Sequence, residues 1–240
     1  MQLKPTAASQ HQALRVLTIV VGCLGMAWGI AGFARSAAVD YFEDVEARLL
    51  RFGSYSTQSA TGMLDSSTAQ DLSDCDNHAQ RSLLLLELPL ADAALRTGAT
   101  RDFDRHVESI EARAKRVLAC APRDPLFWLV LFGLEVEHGR RDRHAFDLLA
   151  TSYEISPHEG WLGLRRMMVT IPIIQTVPEP LREQVLTEFQ NLIRDKLPEI
   201  PARLYLGVSG STRALLQVRI DQLDVKSREA FAAMLQQLQR

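Results

Sequence analysis

The stretch Pro125–Pro157 reads PLFWLVLFGLEVEHGRRDRHAFDLLATSYEISP and decides the fold of this chain. Its first part is apolar and ends at His138-Gly139. A basic turn, Arg140–Arg143, follows, and a second, amphipathic segment then stops at Pro157. Two segments of helical length that are joined by a short polar turn and closed by a proline are typical of paired helices. The stretch therefore predicts a helix–turn–helix hairpin.

The composition extends this prediction to the whole chain. The 240 residues are enough for one sizeable core, or for one domain and an anchor. Leucine and alanine dominate, and only 7% of the residues are aromatic. Residues 36–240 hold 24 basic and 29 acidic side chains, so they lack the basic surface that binds nucleic acid. We expect an all-α protein without a nucleic-acid partner.

Proline residues divide the rest of the chain at intervals like that of the hairpin. The steps from Pro122 or Pro125 to Pro157, and from there to Pro198, are about 32 to 41 residues, which is the period of helix-pair repeats. Such repeats bury their apolar faces by stacking, and the stack leaves a concave binding surface. Residues 71–240 are therefore predicted to form a domain of stacked helical hairpins, of the α-solenoid type.

The hairpin also resembles one tetratricopeptide repeat. Gly133, Ala145 and Ser152 stand where that family has small residues, and Pro157 stands at its closing proline. The pattern departs from the family at Leu149, where a large aromatic residue is usual, and the flanking helix pairs are longer, so the array is degenerate. The resemblance implies a protein-binding scaffold. It also makes the chain look like small bacterial proteins that accompany envelope machinery, including polysaccharide export and polymerisation systems.

The amino-terminal segment Val16–Ala34 contains 19 consecutive residues without a charge. A helix of that length spans roughly 28 Å, close to the hydrocarbon thickness of a bilayer. The segment therefore predicts a single transmembrane helix that follows a short tail, residues 1–15. A signal peptide that is cleaved near Ser36-Ala37-Ala38 and a buried soluble helix are the alternatives.

Basic residues lie on both sides of the predicted span, so their count alone does not orient it. Lys4 and Arg15 precede the span, and Arg35, Arg48 and Arg51 follow it. A short cytosolic tail with a long exported domain is the commoner arrangement for one early span. We therefore expect a single-pass protein with an exported carboxy-terminal domain; the resemblance to bacterial envelope proteins implies that the membrane is the bacterial inner membrane and the compartment the periplasm.

Small residues form a stripe along the predicted span. Thr18, Gly22, Gly25, Gly29 and Gly32 fall at steps of four and three residues, which places them on one helical face. Small residues let another helix approach closely in lipid. The stripe predicts a packing face for a partner helix, either of an integral membrane protein or of a second copy, although glycine is also simply common in membrane helices.

Residues 35–70 are predicted to connect the span to the helical domain. Residues 39–52 have the pattern of a short amphipathic juxtamembrane helix, with Phe42, Val45 and Leu49 on one face. Residues 54–70 are rich in Ser, Thr and Gln, which predicts a flexible linker or a long loop, and a domain boundary.

Two of the three cysteines are candidates for a disulfide bond. Cys75 precedes the first long helical segment by a few residues, and Cys120 ends the second. Two antiparallel helices that fold back at Gly98 bring both cysteines to the same end of the pair. A Cys75–Cys120 bond needs an oxidising compartment, which fits an exported domain; the alternative is two unrelated thiols.

No catalytic, cofactor-binding or metal-binding motif is recognisable in the sequence. Residues 207–211, GVSGS, lack the spacing of a serine nucleophile elbow and read better as a turn and helix cap. His138 and His144 near the basic turn fit a solvated loop better than a metal site. We expect a binding or scaffold protein that is not an enzyme and needs no cofactor. An accessory envelope enzyme without a recognisable motif and a purely structural membrane anchor are the alternatives.

Overall fold

The structure is a computed structural model. It describes the backbone of residues 7–51 and 53–240, and the side chains of residues 15–30, 41–51 and 53–240. All regular structure in these residues is helical, which confirms the all-α prediction. In chain order the helices are α1 (Ala7–Leu50), α2 (Thr57–Leu64), α3 (Ser67–Gln70), α4 (Asn77–Thr97), α5 (Thr100–Cys120), α6 (Pro125–Glu137), α7 (Arg143–Ile155), α8 (Gly160–Thr170), a 3-10 turn (Ile171–Thr176), α9 (Glu179–Arg194), α10 (Glu199–Gly207), α11 (Gly210–Asp221) and α12 (Val225–Leu238).

The quoted stretch forms the hairpin of α6 and α7. Pro125 opens α6, where its missing N–H costs nothing, and the Asp124 side chain accepts a hydrogen bond from the Leu126 N–H at 3.1 Å. Gly139, at φ +75°, takes the left-handed conformation after α6. The two helices then pack together, with the Phe132 and Phe146 ring centroids 6.1 Å apart.

The helices before the hairpin are paired in the same way. Gly98, at φ +71°, ends α4, and α5 starts only two residues later and packs along α4. Pro89 lies inside α4, whose helix continues through it to Thr97. The second member of this pair, α5, also contacts α6, so successive pairs share one apolar core. That core extends through α8 and α9 to Phe231 on α12.

Helix α1 is one continuous helix, whereas the sequence predicted a span and a separate juxtamembrane helix. Every described side chain from residue 15 to residue 30 is exposed. Near its carboxy-terminal end α1 docks on the domain and buries Phe42, Val45 and Leu49, three residues of the predicted amphipathic face. The same helix therefore has an exposed half and a docked half.

Within the part of the chain that the structure describes, no helix has an apolar stretch long enough to cross a membrane. The predicted span, 16–34, runs past residue 30 into residues 31–40, whose side chains lie outside the described residues.

Residues 54–70 differ from the flexible linker that the sequence predicted. They contain the short helices α2 and α3, each capped by a serine: Ser56 accepts from the Ser59 N–H, and Ser66 accepts from the Ala69 N–H. Ala60 and Ala69 are buried. The Ser and Thr residues that suggested disorder act here as helix caps and solvent-facing positions, because short hydroxyl side chains satisfy the free N–H groups at helix starts.

Candidate functional site

The candidate site is a groove of about 650 Å³ where α7 ends, α8 begins and α9 passes alongside. Fifteen residues line it, five of them acidic. They are Tyr153, Glu154, Pro157, His158, Glu159, Gly160, Gly163, Glu183, Gln184, Thr187, Glu188, Asn191, Leu192, Arg194 and Asp195. The volume lies in the range of sites that bind ligands or side chains of a partner.

The floor of the groove is a set of three polar side chains. The Tyr153 hydroxyl donates a 2.6 Å hydrogen bond to Oε2 of Glu188, and Nη1 of Arg166 lies 3.2 Å from Oε1 of the same carboxylate. The Arg166 guanidinium also lies over the Tyr153 ring, 4.3 Å from its centroid. Both oxygens of Glu188 are thus engaged, which fixes its position between α7, α8 and α9.

Arg166 is completely buried, and two of its four hydrogen bonds go to backbone oxygens. Its Nη2 donates to the carbonyl oxygens of Ser152 and Ser156, the latter at 2.8 Å, and its Nε donates to Oγ of Ser152 at 3.2 Å. The Ser152 hydroxyl in turn donates to the carbonyl oxygen of Pro125 at 2.9 Å. Arg166 therefore caps the carboxyl end of α7, and Ser152 extends the network to the start of α6.

Burial controls the protonation of the floor. Loss of solvent raises the pKa of Glu188, and the hydrogen bond from Tyr153 and the charge of Arg166 offset this only in part. Burial and the Glu188 charge raise the pKa of Tyr153 well above its ordinary value. The tyrosine therefore stays protonated and remains a hydrogen-bond donor to Glu188 at neutral pH.

Gly163 gives Glu188 the room to reach Arg166. A Cβ atom at residue 163 would lie 2.8 Å from Oε1 and 3.2 Å from Cγ of Glu188. Such contacts are too short, and Glu188 could retreat only by straining its bonds to Tyr153 and Arg166. A residue without a side chain at 163 is thus part of the floor.

The rim of the groove carries carboxylates of two kinds. Glu183 pairs with Arg219 of α11. Glu154, Glu159 and Asp195 are exposed and make no ion pair with any described residue. The one arginine in the lining is Arg194, whose Nη1 donates to Oδ1 of Asn191 at 3.4 Å. The rim therefore presents an excess of negative charge to solvent.

A second polar cluster joins the docked half of α1 to the domain. Arg81 of α4 donates to Glu46 of α1 at 2.6 Å and to Asp124 at 2.8 Å, and it lies 5.7 Å from the Trp161 ring centroid. Nδ1 of His78 is 3.1 Å from the other oxygen of Glu46. Burial opposes the charge of Arg81, but Asp124 and Glu46 outweigh it and raise the pKa of Arg81.

Two further bonds fix α1 through its backbone. The Ser82 hydroxyl donates to the Phe42 carbonyl at 2.6 Å, and Nη2 of Arg165 donates to the Leu49 carbonyl at 2.9 Å. Arg165 and Arg166 are neighbours on α8. One turn of α8 therefore holds both the last turn of α1 and the groove floor.

The four residues of the repeat-like pattern do not all lie at this network. Ala145 and Ser152 are buried, and Ser152 bonds both Pro125 and Arg166. Pro157 lines the groove. Gly133 is half-buried on α6, and no neighbouring atom lies within 4 Å of where its Cβ would be. Ser152 and Pro157 thus form part of the site, whereas Gly133 lies outside it.

Cys75 and Cys120 are joined in the structure, with a Cα–Cα distance of 5.2 Å. They lie just before α4 and at the last residue of α5, so the bond links the free ends of this pair. Both residues are exposed at the surface of the domain. Neither lines the groove.

The described residues of the predicted stripe lie in the exposed half of α1. Thr18, Gly22, Gly25 and Gly29 are exposed, and no atom lies within 4 Å of the Cβ position at the three glycines. The side-chain position of Gly32 lies outside the described residues. Among the described residues, no group of three or more His, Cys, Asp or Glu is placed to hold a metal ion.

Sequence reasoning missed the centre of the site, which is formed by Arg166, Glu188 and Gly163. The sequence GWLGLRRMM contains the signal, an arginine among apolar helix positions. An arginine at such a position needs buried partners, and here they come from the end of the preceding helix.

No protein-family model, curated protein or solved structure matches this chain. The resemblance to a tetratricopeptide repeat therefore rests on the residues of the hairpin alone.

Proposed function

We propose that this chain is a membrane-anchored protein-interaction module of the bacterial cell envelope. The first half of α1 inserts into the inner membrane, and the helical domain is held on its periplasmic side, where it binds a protein partner. Following the resemblance of the hairpin, the partner belongs to envelope machinery such as a polysaccharide export or polymerisation system.

The observation that carries the proposal is the exposed half of α1. Nine large apolar side chains between residues 16 and 30 are 48–83% exposed, including Leu24 at 65% and Trp28 at 83%. Removing one such side chain from water contributes about 1.5–3 kcal/mol. An uncovered helix of this kind is unfavourable in water, whereas the hydrocarbon of a bilayer offers it a favourable environment.

Flotation of the full-length protein with lipid vesicles tests the anchor. The double variant Val21→Arg/Leu24→Arg introduces two charges, each costing about 2.5–3.5 kcal/mol in a membrane helix. We expect the wild type to float with vesicles and this variant to remain in the dense fraction. The control, Leu95→Arg/Val218→Arg, alters two exposed apolar residues outside α1 and should float like the wild type. Equal flotation of both variants would contradict insertion through α1.

The pairing of Cys75 with Cys120 supports an exported domain, because disulfide bonds persist in oxidising compartments. Protein alkylated in its native compartment without reductant should gain one alkyl group, at Cys23. A gain of three groups would mean that the domain resides in a reducing compartment.

The partner is best sought by cross-linking in intact membranes, followed by isolation of the full-length chain. A repeatable integral-membrane partner that is lost from a variant altered in the groove supports the interaction role. Recovery of the same partner with all groove variants would place the binding surface elsewhere.

A buried carboxyl with a raised pKa, Glu188, is the observation that favours an enzyme. Its surroundings favour binding instead, because Tyr153 and Arg166 occupy both of its oxygens. Turnover of an envelope substrate by the purified protein, lost in Glu188→Gln, would favour the enzyme.

A further inference from the structure

We propose that the tip of the α4–α5 pair, residues 95–101, lies in the headgroup layer of the membrane that holds α1. This inference rests on the proposed anchor and specifies which surface of the domain the bilayer meets. It is carried by the direction in which α4 runs along α1, by the length of α4 beyond that contact, and by the side chains of the tip.

Helix α4 runs antiparallel to the docked half of α1. The carbonyl oxygen of Phe42 accepts a hydrogen bond from Ser82 at 2.6 Å. One turn later in α1, Glu46 meets His78, which lies one turn earlier in α4. The direction along α1 that leads to the predicted span is therefore the direction in which α4 runs toward the tip. The disulfide bond lies at the opposite end of the α4–α5 pair.

The tip extends at least as far toward the membrane as the end of the predicted span. At about 1.5 Å per residue, α4 rises by about 24 Å from Ser82 to Gly98, and α1 by about 12 Å from Phe42 to Ala34, where the predicted span ends. Packed helices most often cross at inclinations of about 20° or about 50°. Projected on α1, the rise of α4 is then about 23 Å or about 15 Å. With α1 along the bilayer normal, both values bring the tip to the plane at which α1 enters the hydrocarbon.

The tip stands beside the exposed half of α1 and does not cover it. All described side chains of residues 15–30 are exposed, and no atom lies within 4 Å of the Cβ positions at Gly25 and Gly29. A helix α4 that leans away from α1 beyond the docked half leaves these side chains to the lipid. The tip therefore meets the bilayer at a second point beside α1, and two points of contact fix the orientation of the domain on the membrane.

The side chains of the tip suit the headgroup layer. Leu95 is 52% exposed, and Arg96 and Arg101 are exposed beside it. Leu95 can enter the boundary of the acyl chains, whereas the two arginines stop the tip there because charged side chains are costly in hydrocarbon. Residues 92–105 contain three arginines and three aspartates, so their net charge is zero. The contact therefore does not require an anionic lipid.

Fluorescence quenching on the full-length protein in lipid vesicles tests the position of the tip. A cysteine that carries a fluorescent dye is placed at the tip, Thr100→Cys, in a Cys23→Ser background, while Cys75 and Cys120 stay paired. The matched control, Ala112→Cys, is an exposed position on the same helix, about 18 Å from residue 100. The quencher is a phospholipid with a nitroxide on its headgroup, diluted into neutral phosphatidylcholine vesicles.

We expect the dye at residue 100 to lose fluorescence when the vesicles contain the quencher, and the dye at residue 112 to keep it. The same result should hold in vesicles that contain anionic phosphatidylglycerol. Equal quenching at both positions in vesicle-bound protein would overturn the proposal. Quenching confined to anionic vesicles would also overturn it, because lipid charge, and not the direction of α4, would then bring the tip to the surface.

A substitution at the tip separates its contact from the anchor. Leu95→Asp puts a charge at the apolar contact and should reduce the quenching at residue 100 while the protein still floats with vesicles. Val218→Asp, at a residue of α11 that is 55% exposed, should leave the quenching unchanged. Unchanged quenching in Leu95→Asp would overturn the assignment of Leu95 to the bilayer. Failure of the wild type to float would instead contradict the anchor itself.

Discussion

The α1 junction and the groove floor are each built around a buried arginine, but the two are held in different ways. Arg81 at the junction is balanced by side-chain carboxylates from two other parts of the chain, Glu46 and Asp124. Arg166 at the floor is held by two backbone carbonyls that end α7, by the Ser152 hydroxyl and by one carboxylate. The ion pairs of the junction therefore join side chains only, whereas the floor also uses backbone carbonyls, which no substitution removes.

Loss of the floor arginine should have the largest effect. Arg166→Met removes the guanidinium group that pairs with Glu188 and donates to the buried carbonyls of Ser152 and Ser156. Breaking a buried pair from one side costs about 3–5 kcal/mol in the free energy of unfolding. Urea unfolding measures it. Arg203→Met, which removes an exposed pair with Glu199, should change stability by less than about 1 kcal/mol; similar losses in both variants would mean that Arg166 is not the structural centre.

Loss of the junction arginine should cost less and act more locally. Arg81→Met leaves Glu46 and Asp124 without their shared partner, but the Arg81 side chain is 14% exposed, unlike Arg166, and His78 still faces Glu46. We expect a loss of about 2–3 kcal/mol, below that of a fully buried pair. Hydrogen exchange should accelerate at residues 42–50 of α1 before it does so in α7 or α8. Uniform acceleration over the domain would contradict a local role.

A matched glycine pair measures how tightly the floor is packed. Gly163→Ala pushes a methyl group against Glu188 and should destabilise by about 1–3 kcal/mol, as overpacking does. Gly133→Ala in α6 meets no atom within 4 Å and should stabilise by about 0.5–1 kcal/mol through helix propensity. Denaturant midpoints of the two variants should therefore move in opposite directions. A stabilised Gly163→Ala would show that Glu188 is free to move.

The sequence allowed the helices and their pairing to be predicted because these depend on local signals. Apolar periodicity, the Gly98 and Gly139 turns and the proline stops indicate helix ends within a few residues. The two cysteines likewise lie at the same end of one helix pair. Such features need no knowledge of which distant elements meet.

The polar clusters could not be predicted, because each joins residues far apart in the sequence. Glu46 and Arg81 are separated by 35 residues, and Arg166 and Glu188 by 22. The charge of each residue alone suggests a solvated face. Ser152 was recognised only as a small residue of a repeat-like pattern, although its hydroxyl links Pro125 to Arg166.

The smallest expected effect is the pH dependence of stability. It shows whether burial or the ion pair with Arg166 determines the pKa of Glu188 at the floor. Burial raises the pKa of Glu188 in the folded chain above its ordinary value of 4.5. Between pH 4.5 and that raised pKa, the folded chain therefore binds more protons than the unfolded chain. Its contribution to stability is then fully present below pH 4.5 and is lost as pH rises through the folded pKa. Glu188→Gln cannot titrate, so the stability of the wild type relative to this variant should fall between about pH 4 and 7, by up to about 1.4 kcal/mol for each unit of raised pKa. Urea unfolding at the two pH values measures the difference. If the wild type instead became more stable relative to the variant as pH rises, the charge of Arg166 would outweigh burial. The floor would then resemble the Arg81 junction, where charge sets the pKa.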